Sequence, residues 1–262
     1  MNLNLGHRTA VVTGASRGIG LEITRALVRE GMTVAAGALT GSDELRELAD
    51  SGEVLVVLDD LTTAAGCQTL VDQAVDRFGG IDLLVNNVGG VRPRTNGFVD
   101  VSDADWQWAF DVNLFSAIRA TRAALPHLLQ RTPSSIVTVC SVNATLPDPG
   151  VIDYSAAKAA LRSFSKSLSK QFGPAGIRVN SVSPGPVETA LWLGAGGVAE
   201  TIGQAQGLTP DAVRAAAVEG TATGRFTHPS EVAQLVLLLA SETAGNITGT
   251  DILIDGGLVT TT

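Results

Sequence analysis

The chain has 262 residues, of which 45% are hydrophobic and 17% are charged, and its formal net charge is -8. This much apolar material supports a substantial core and excludes a disordered chain. The negative charge disfavours a nucleic-acid partner, and no run of basic residues would bind an anionic membrane. No apolar stretch approaches the roughly 20 residues of a membrane-spanning helix, and the first residues do not form a signal-peptide pattern.

Cysteine and histidine are sparse and scattered. Cys67 and Cys140 lack the spacing of a disulfide framework, which indicates two buried thiols in a reducing compartment. We therefore expect a cytoplasmic protein. His7, His127 and His228 are isolated from one another and from the cysteines, so no metal site is predicted.

Seven short apolar runs alternate along the chain with longer segments of helical pattern. The runs are nearly continuous rather than alternating in polarity, which is typical of strands buried on both faces of a parallel sheet. The predicted strands cover residues 8–14, 32–37, 53–59, 81–87, 135–141, 177–183 and 251–257.

Between these runs, apolar residues recur at helical spacing, for example Ile19, Ile23 and Leu27. Alternating strands and helices predict right-handed crossovers, with helices on both faces of the sheet. The predicted fold class is α/β, a doubly wound parallel sheet that forms a single domain over residues 1–262. The segment 187–227 is the one break in this rhythm.

The segment "TGASRGIG", residues 13–20, joins the first predicted strand to the first helix. Its glycines allow a sharp turn and a close approach of a ligand to the backbone, and the helix N-terminus then attracts a pyrophosphate. This position in the fold favours dinucleotide binding over an ordinary strand–helix turn. The cofactor contacts predicted here are Gly14, Ser16, Arg17, Gly18, Ile19 and Gly20.

The end of the second predicted strand bears on the choice of cofactor. An acid at this position usually binds the adenosine ribose in NAD-dependent proteins, but this chain has Ala38 there, followed by Leu39. No carboxylate would repel a 2′-phosphate, and Arg17 could reach one. These residues favour NADP(H) over NAD(H), although Arg17 also fits a solvated surface cation.

Two carboxylates, Asp59 and Asp60, end the third predicted strand. Neighbours on a strand point to opposite faces, so this pair is not expected to share one catalytic site. We predict instead that Asp60 hydrogen-bonds the adenine amino group, with Leu61 beside it.

A helix predicted over residues 154–172 places Tyr154 and Lys158 on one face, a turn apart. A nearby ammonium favours the phenolate and is expected to lower the tyrosine pKa from its usual value of about 10. The phenol would then exchange a proton with an alcohol or a developing alkoxide. Ser141 ends the fifth predicted strand, at the sheet edge where ligands bind, and could hold the substrate oxygen.

The chain resembles a classical short-chain dehydrogenase/reductase over its whole length. The matching segments are "TGASRGIG", "NNVG" (86–89), Asn113 in "DVNLF", Ser141, "YSAAK" (154–158), "SPGPVET" (183–189) and "DGG" (255–257). Their order and spacing are specific to the family. One departure is Val88, where the family most often has alanine.

The resemblance implies a Rossmann-type sheet, a nicotinamide cofactor and a catalytic tetrad of Asn113, Ser141, Tyr154 and Lys158. In such enzymes the tyrosine is the acid/base, the lysine also binds the nicotinamide ribose, the serine polarises the carbonyl and the asparagine holds a water. The further cofactor contacts implied are Asn87, Val88, Gly89, Pro184, Gly185, Val187 and Thr189. A homotetramer, or a homodimer, is implied as well, with the Tyr154 helix and the last strand as interfaces.

Loops at the carboxyl ends of the strands are expected to select the substrate. Asn143, Leu146 and Val151 follow Ser141 and are candidate substrate contacts. Arg92 and Arg94 lie in the loop after the fourth strand, where they could meet an acidic substrate, although solvated loop cations are the preferred interpretation.

The segment 187–227, called here the lid segment, is the third candidate. Residues 189–199 contain no charge, and they include Trp192 and three glycines. Apolar side chains with flexible joints predict a lid over a largely apolar substrate, with Trp192 in contact. A packed helical excursion or an oligomer contact are the alternatives.

Together these observations predict a cytoplasmic oxidoreductase that transfers a hydride between NADP(H) and a carbonyl or secondary alcohol. Three further functional hypotheses stay open. The chain could be a 3-oxoacyl-thioester reductase, an NAD-dependent alcohol dehydrogenase, or a non-catalytic NADP-binding regulator. The intact tetrad disfavours the last, because a regulator needs no proton donor.

Overall fold

The computed structural model describes residues 3–260, which form one seven-stranded parallel sheet with the strand order β3-β2-β1-β4-β5-β6-β7. This architecture confirms the predicted doubly wound α/β domain. The strands are β1 (Thr9–Thr13), β2 (Thr33–Ala38), β3 (Val54–Leu58), β4 (Leu83–Asn86), β5 (Ser134–Val139), β6 (Ile177–Pro184) and β7 (Asp251–Ile254).

Helices cover both faces of this sheet. They are α1 (Gly18–Arg29), α2 (Asp43–Ala49), α3 (Ala64–Phe78), α4 (Asp103–Phe110), α5 (Ser116–Gln130), α6 (Ile152–Phe172), α7 (Ala190–Leu193), α8 (Val198–Gln206), α9 (Pro210–Glu219) and α10 (Pro229–Ala240). The helices α1 and α10 contribute to the core on one face, and α3, α5 and α6 to the core on the other. Within residues 3–260, no helix combines the length and the apolar character that crossing a membrane requires.

Burial of the strands explains their near-continuous apolar runs. Successive side chains of a strand point to opposite faces, so Val11 packs into one core cluster and Val12 into the other. Both residues are 0% exposed. A strand with helices on both sides has no solvent-facing position, and therefore no need for polar alternation.

Glycines make two strands shorter than the sequence predicts. The first apolar run extends to residue 14, but Gly14 has a φ of +69° and turns the chain after Thr13. The last strand ends at Ile254, because Gly256 and Gly257 have φ values of +65° and +83°. Helix α6 begins at Ile152, two residues before the predicted start.

The lid segment contains α7, α8 and α9 and returns to the point where it left the sheet. Val187 and Thr227 form an isolated parallel bridge. The amide of Glu188 donates to the carbonyl of Thr227, and the amide of Thr227 donates to that of Pro186, each at 2.9 Å. The segment is therefore a helical excursion whose two ends are joined.

Candidate active site

The glycine loop lies at the carboxyl end of β1, where the predicted cofactor contacts begin. Gly14 and Gly18 have positive φ values of +69° and +56°, which favour glycine. A Cβ atom added to Gly20 would lie 2.2 Å from the carbonyl oxygen of Gly14 and 2.4 Å from Nδ2 of Asn87. The loop is thus closed tightly on itself, and α1 begins at Gly18 with its N-terminus facing the carboxyl edge of the sheet.

Asn87 and Thr13 hold this loop against β4. Nδ2 of Asn87 donates to the carbonyls of Thr13 and Gly14, both at 3.0 Å. The Thr13 hydroxyl accepts from the amides of Asn87 and Val88, at 2.9 and 3.2 Å. The Asn87 side chain therefore supports the loop, and Val88 and Gly89 follow it along the same edge.

Asn113 lies in a π-helical turn over Asp111–Phe115 between α4 and α5. Its side chain is fully buried, and Nδ2 donates to the carbonyls of Gly90 (2.8 Å) and Ala109 (2.9 Å). Its Oδ1 accepts from the amide of Gly90 at 3.0 Å. Such π-turns are frequent at functional sites, and here the asparagine satisfies the backbone that the turn leaves open.

Lys158 projects from α6 into the same region and is only 3% exposed. Its Nζ donates to the carbonyl oxygen of Val139 at 3.1 Å and lies 5.7 Å from the centroid of the Tyr154 ring. A Cβ added to Gly89 would lie 3.3 Å from Nζ of Lys158 and 3.2 Å from Oδ1 of Asn113. Gly89 therefore packs against both predicted tetrad residues.

Ser141 follows β5 and opens a short 3-10 turn over Val142–Ala144. Its hydroxyl donates to Oδ1 of Asn143 and accepts from the amide of Asn143, both at 3.2 Å. A side-chain hydrogen bond with Ser141 also acts on Tyr154, where it lowers the tyrosine pKa. Ser141 thus lies next to the Tyr154 phenol.

The ionisation of Tyr154 differs from the sequence prediction. Burial raises the pKa of Tyr154 to about 12, and the hydrogen bond with Ser141 opposes that change only in part. Burial also lowers the pKa of the Lys158 ammonium. The expectation that Lys158 would bring the tyrosine pKa below 10 is wrong for this arrangement, because removal of both groups from water disfavours their charged forms.

The predicted adenosine side is more open. Arg17 is exposed at the N-cap of α1, and Ala38 is buried at the end of β2. The amide and hydroxyl of Thr62 donate to Asp60, at 2.9 and 2.7 Å, and these hydrogen bonds lower the pKa of Asp60. Leu61 is buried below this turn.

Residues 184–189 run over the glycine loop. A Cβ added to Gly18 would lie 3.2 Å from Cγ2 of Thr189, so Thr189 packs directly on the loop. Gly185 is as closely packed, since a Cβ there would lie 2.9 Å from Cα of Asp255. Pro184 ends β6, and Val187 is buried at the start of the lid segment.

Comparisons with known proteins agree with this geometry. The family model described as enoyl-(acyl carrier protein) reductase matches residues 14–259. The chain belongs to the short-chain dehydrogenase/reductase family. It is therefore an oxidoreductase that acts on carbonyl or CH–OH groups.

Individual relatives match this short-chain dehydrogenase/reductase along its length. It is 33% identical to the 3-oxoacyl-acyl-carrier-protein reductase FabG of Thermotoga maritima, over 98% of this chain and 100% of that protein. It is 35% identical to the oxidoreductase UcpA of Salmonella typhimurium, over 95% and 94%. The crystal structure of L-sorbose reductase from Gluconobacter frateurii, complexed with NADPH and L-sorbose, superposes with a TM-score of 0.91 at 30% identity and covers 100% of both chains.

The predicted substrate contacts of this short-chain dehydrogenase/reductase are spread around the edge. Asn143 touches Ser141 directly. Leu146 is 46% exposed, and Val151 is half-buried before α6. Trp192 packs edge-to-face on Phe226, with 5.7 Å between ring centroids.

The two arginines of the β4–α4 loop differ, since Arg92 is exposed and Arg94 is paired with carboxylates. The side chain of Arg94 is 11% exposed and pairs with Asp105 (2.9 Å) and Asp153 (2.5 Å). Because these carboxylates occupy its N–H donors, Arg94 is not available to bind an acidic substrate. The guanidinium of Arg92 stacks 3.8 Å from the centroid of the Trp108 ring. The preferred interpretation, that Arg94 is a solvated loop cation, is therefore wrong.

Sequence reasoning also missed several groups that shape the site. The carbonyls of Val139 and Gly90 fix Lys158 and Asn113, but a backbone atom leaves no signal in the sequence. Asp153 directly precedes Tyr154 and is 1% exposed. The sequence indicates a role for Asp153 only by its position next to the tyrosine in "IDYSAAK". That role becomes clear from its ion pair with Arg94, which is distant in sequence.

Proposed function

We propose that this chain is an NADP(H)-dependent carbonyl reductase, which interconverts a largely apolar ketone and its secondary alcohol. The convergence of Lys158, Asn113 and Gly89 beside the glycine loop carries the proposal. That arrangement joins a nucleotide cradle to a proton-donating phenol at one edge of the sheet.

The residues present fit a dinucleotide. Gly14 and Gly18 turn the loop with positive φ values, and α1 begins at Gly18, so a pyrophosphate can bind at the free amides of its N-terminus. Buried Ala38 offers no carboxylate, and exposed Arg17 offers a cation for a 2′-phosphate. The NADPH in the L-sorbose reductase complex supports the same choice of cofactor.

We assign the remaining cofactor contacts by their position on this edge. Asp60 and Leu61 would meet the adenine, and Lys158 the nicotinamide ribose. The others belong to the glycine loop, the segment after β4, helix α6 and residues 184–189: Gly14, Ser16, Gly18, Ile19, Asn87, Val88, Gly89, Tyr154, Pro184, Gly185, Val187 and Thr189.

When bound, NADPH supplies the hydride that reduces the carbonyl carbon. Tyr154 gives its phenolic proton to the carbonyl oxygen, which completes the alcohol. A pKa of about 12 keeps this phenol protonated at neutral pH, so the proton that the alcohol requires is in place. The reverse reaction needs the phenolate, so alcohol oxidation should become faster as the pH rises.

The other tetrad residues serve this proton transfer. The Lys158 ammonium, fixed on the Val139 carbonyl, offsets the negative charge that Tyr154 acquires as its proton leaves. The Ser141 hydroxyl turns from Asn143 to the substrate oxygen and polarises the carbonyl. Asn113 would hold a water that connects Lys158 to solvent.

The lid segment is proposed to cover the substrate. Trp192 of this segment and Leu146 would form the apolar side of the substrate pocket, and Val151 would lie at the margin of the pocket. Exposed apolar side chains such as Leu191, at 46% exposure, are available to close on a ligand. Residues 1–262 would then act as one catalytic domain with a lid over 187–227.

A second candidate function is reduction of 3-oxoacyl thioesters. The 33% identity with FabG over the whole chain favours it. The two functions share the tetrad and differ in what the lid segment accepts. An NAD-dependent alcohol dehydrogenase is disfavoured by Ala38 at the end of β2, and a non-catalytic regulator is disfavoured by the intact tetrad.

The decisive experiment follows consumption of NADPH and NADH in parallel, with aliphatic ketones, ketoses and 3-oxoacyl thioesters. We expect turnover with NADPH on apolar ketones. Preference for thioesters would select the second candidate, and preference for ketoses would contradict an apolar pocket.

The Tyr154→Phe variant separates enzyme from regulator in the same assay. It should bind NADPH normally but lose roughly 10²- to 10⁴-fold in kcat, the usual contribution of a general acid. Full turnover by this variant would rule out the proposed mechanism.

We further propose a cytoplasmic homotetramer. The buried thiols of Cys67 and Cys140 suit a reducing compartment. Strand β7 ends the sheet order, and Leu253 on it is 38% exposed, so a second copy could cover this edge. Light scattering on the purified protein should give the mass of four chains, and the mass of one chain would contradict this proposal.

A further inference from the structure

Arg94 and Asp153 form a buried ion pair between the β4–α4 loop and the first turn of α6. Their side chains are 11% and 2% exposed. Nε of Arg94 lies 3.3 Å from Oδ1 and Nη2 lies 2.5 Å from Oδ2 of Asp153, which gives the forked geometry that orients both partners.

The pair connects two helices. On one side, Oδ1 of Asp153 accepts the backbone N–H of Tyr154 at 3.0 Å. On the other, Nη1 of Arg94 donates to Asp105 at 2.9 Å, and Asp105 forms the capping box of α4 with Ser102. A continuous series of hydrogen bonds thus links the start of α4 to the backbone of Tyr154.

Helix α6 needs such an external support. Its N-cap position is occupied by Val151, which makes no side-chain cap, so the first amides of the helix depend on other acceptors. Asp153 supplies one of them. The amide of Arg94 also donates to the carbonyl of Gly150 at 2.7 Å, which ties the same loop to the residues just before α6.

We infer that Arg94 is a positioning residue for the reaction: through Asp153 it holds the first turn of α6, and with it Tyr154, in the orientation that proton transfer requires. This inference rests on the proposed role of Tyr154 as the acid. Small misplacements of a catalytic group cost up to about 10²-fold in rate, so the support of one helix turn is large enough to matter.

Loss of Arg94 would have two effects. The fork to Asp153 and the contact to Asp105 would both disappear, and the buried Asp153 side chain would lose its cationic partner. Removal of that carboxylate in the double variant should therefore restore part of the function.

The chain offers an unusually direct probe, because Tyr154 is its only tyrosine. Protein labelled with ¹³Cζ-tyrosine should give a single resonance that reports on this phenol alone. The variants are Arg94→Gln and the double variant Arg94→Gln/Asp153→Asn. Arg8→Gln is the matched control, since Arg8 also forms an ion pair, with Glu242, and its side chain is 20% exposed. Arg8 directly precedes β1 and so lies at the amino-terminal end of the strands, away from the proposed site.

For Arg94→Gln we expect a shifted or broadened tyrosine resonance and a kcat lowered roughly 10- to 100-fold, with the Kd for NADPH changed by less than about twofold. The double variant should recover at least about threefold of the lost kcat. Arg8→Gln should match the unmodified protein in resonance, kcat and Kd.

The inference is overturned if Arg94→Gln changes neither readout, or only one of them. It is also overturned if kcat falls only in proportion to lost NADPH binding or to a melting temperature below the assay temperature, since Arg94 would then support the fold alone. If the unmodified protein reduces no substrate, or Tyr154→Phe keeps full turnover, the proposed function fails. The resonance then decides by itself whether Arg94 orients Tyr154.

Discussion

The residues around Tyr154 and the lid segment lie at the same edge of the sheet but are held in different ways. Asn113, Ser141, Asp153 and Lys158 are each less than 9% exposed, and their polar atoms are bound to neighbouring backbone or side chains. The two ends of the lid segment are instead bridged to each other, and Leu191 and Leu208 within it are 46% and 48% exposed.

This difference separates two tasks. Groups that move protons need fixed distances, and buried hydrogen bonds to the strands provide them. Groups that select a substrate must let it enter, and a segment with exposed apolar side chains such as Leu191 and Leu208 is suited to that. Changes in the first region should therefore lower kcat, and changes in the second should raise KM.

The largest effect is expected from Lys158→Met. This variant removes the cation beside Tyr154 and leaves the Val139 carbonyl without its donor, so kcat should fall roughly 10²- to 10³-fold. Steady-state kinetics with NADPH would measure it. Lys170→Met, on an exposed position of the same helix, is the control. A kcat for Lys158→Met within about twofold of the unmodified value would show that Lys158 does not assist the proton transfer.

Gly20→Ala tests the glycine loop of the proposed cofactor site. The new Cβ would collide with the Gly14 carbonyl, so the loop must move at a cost of about 1–3 kcal/mol, and NADPH affinity should fall at least about tenfold. Fluorescence titration with NADPH and thermal melting would measure both.

Gly173→Ala is the matched control, because nothing lies within 4 Å of a Cβ at Gly173. Unchanged NADPH affinity in Gly20→Ala would show that the tight closure of the loop has no part in cofactor binding.

Trp192→Ala tests the lid segment. Loss of this ring from the Phe226 contact should raise KM for bulky ketones by roughly tenfold, since burial of a large apolar side chain contributes about 1.5–3 kcal/mol. The kcat and the KM for a small ketone should change little. Trp106→Ala on α4 carries the same truncation outside the lid segment. Equal KM values for Trp192→Ala and the unmodified protein would assign the lid segment to another role.

The smallest effect is spectroscopic and concerns the ionisation of Tyr154. Absorbance at the tyrosinate band should titrate with a midpoint of about 12 in the folded protein and near the ordinary value of 10 after unfolding in urea. The raised pKa stabilises the protonated folded state, so this group's contribution to stability is lost as the pH rises from 10 through 12. A folded midpoint at or below 10 would mean that Lys158 outweighs burial.

Much of the fold could be predicted from the sequence, because it depends on local patterns. The apolar runs predicted a parallel sheet, and the burial of Val11 and Val12 on opposite faces explains why. The spacing of Tyr154 and Lys158 predicted a shared helix, which the structure confirms as α6.

The rest depends on distant parts of the chain. The partner of Lys158 is a carbonyl of β5, and the partner of Asp153 comes from the β4–α4 loop. The pKa of Tyr154 was predicted in the wrong direction, since spacing along a helix reveals a neighbouring charge but not how much water surrounds the pair.

The bridge between Val187 and Thr227 has one more consequence. Because the chain leaves the sheet and re-enters it at adjacent points, the stretch between them can be lengthened, shortened or exchanged without changing the distance that it must span. Such an insertion can diverge quickly while the strands beneath it stay the same. New substrate preferences could therefore be engineered by grafting a foreign stretch between these two residues.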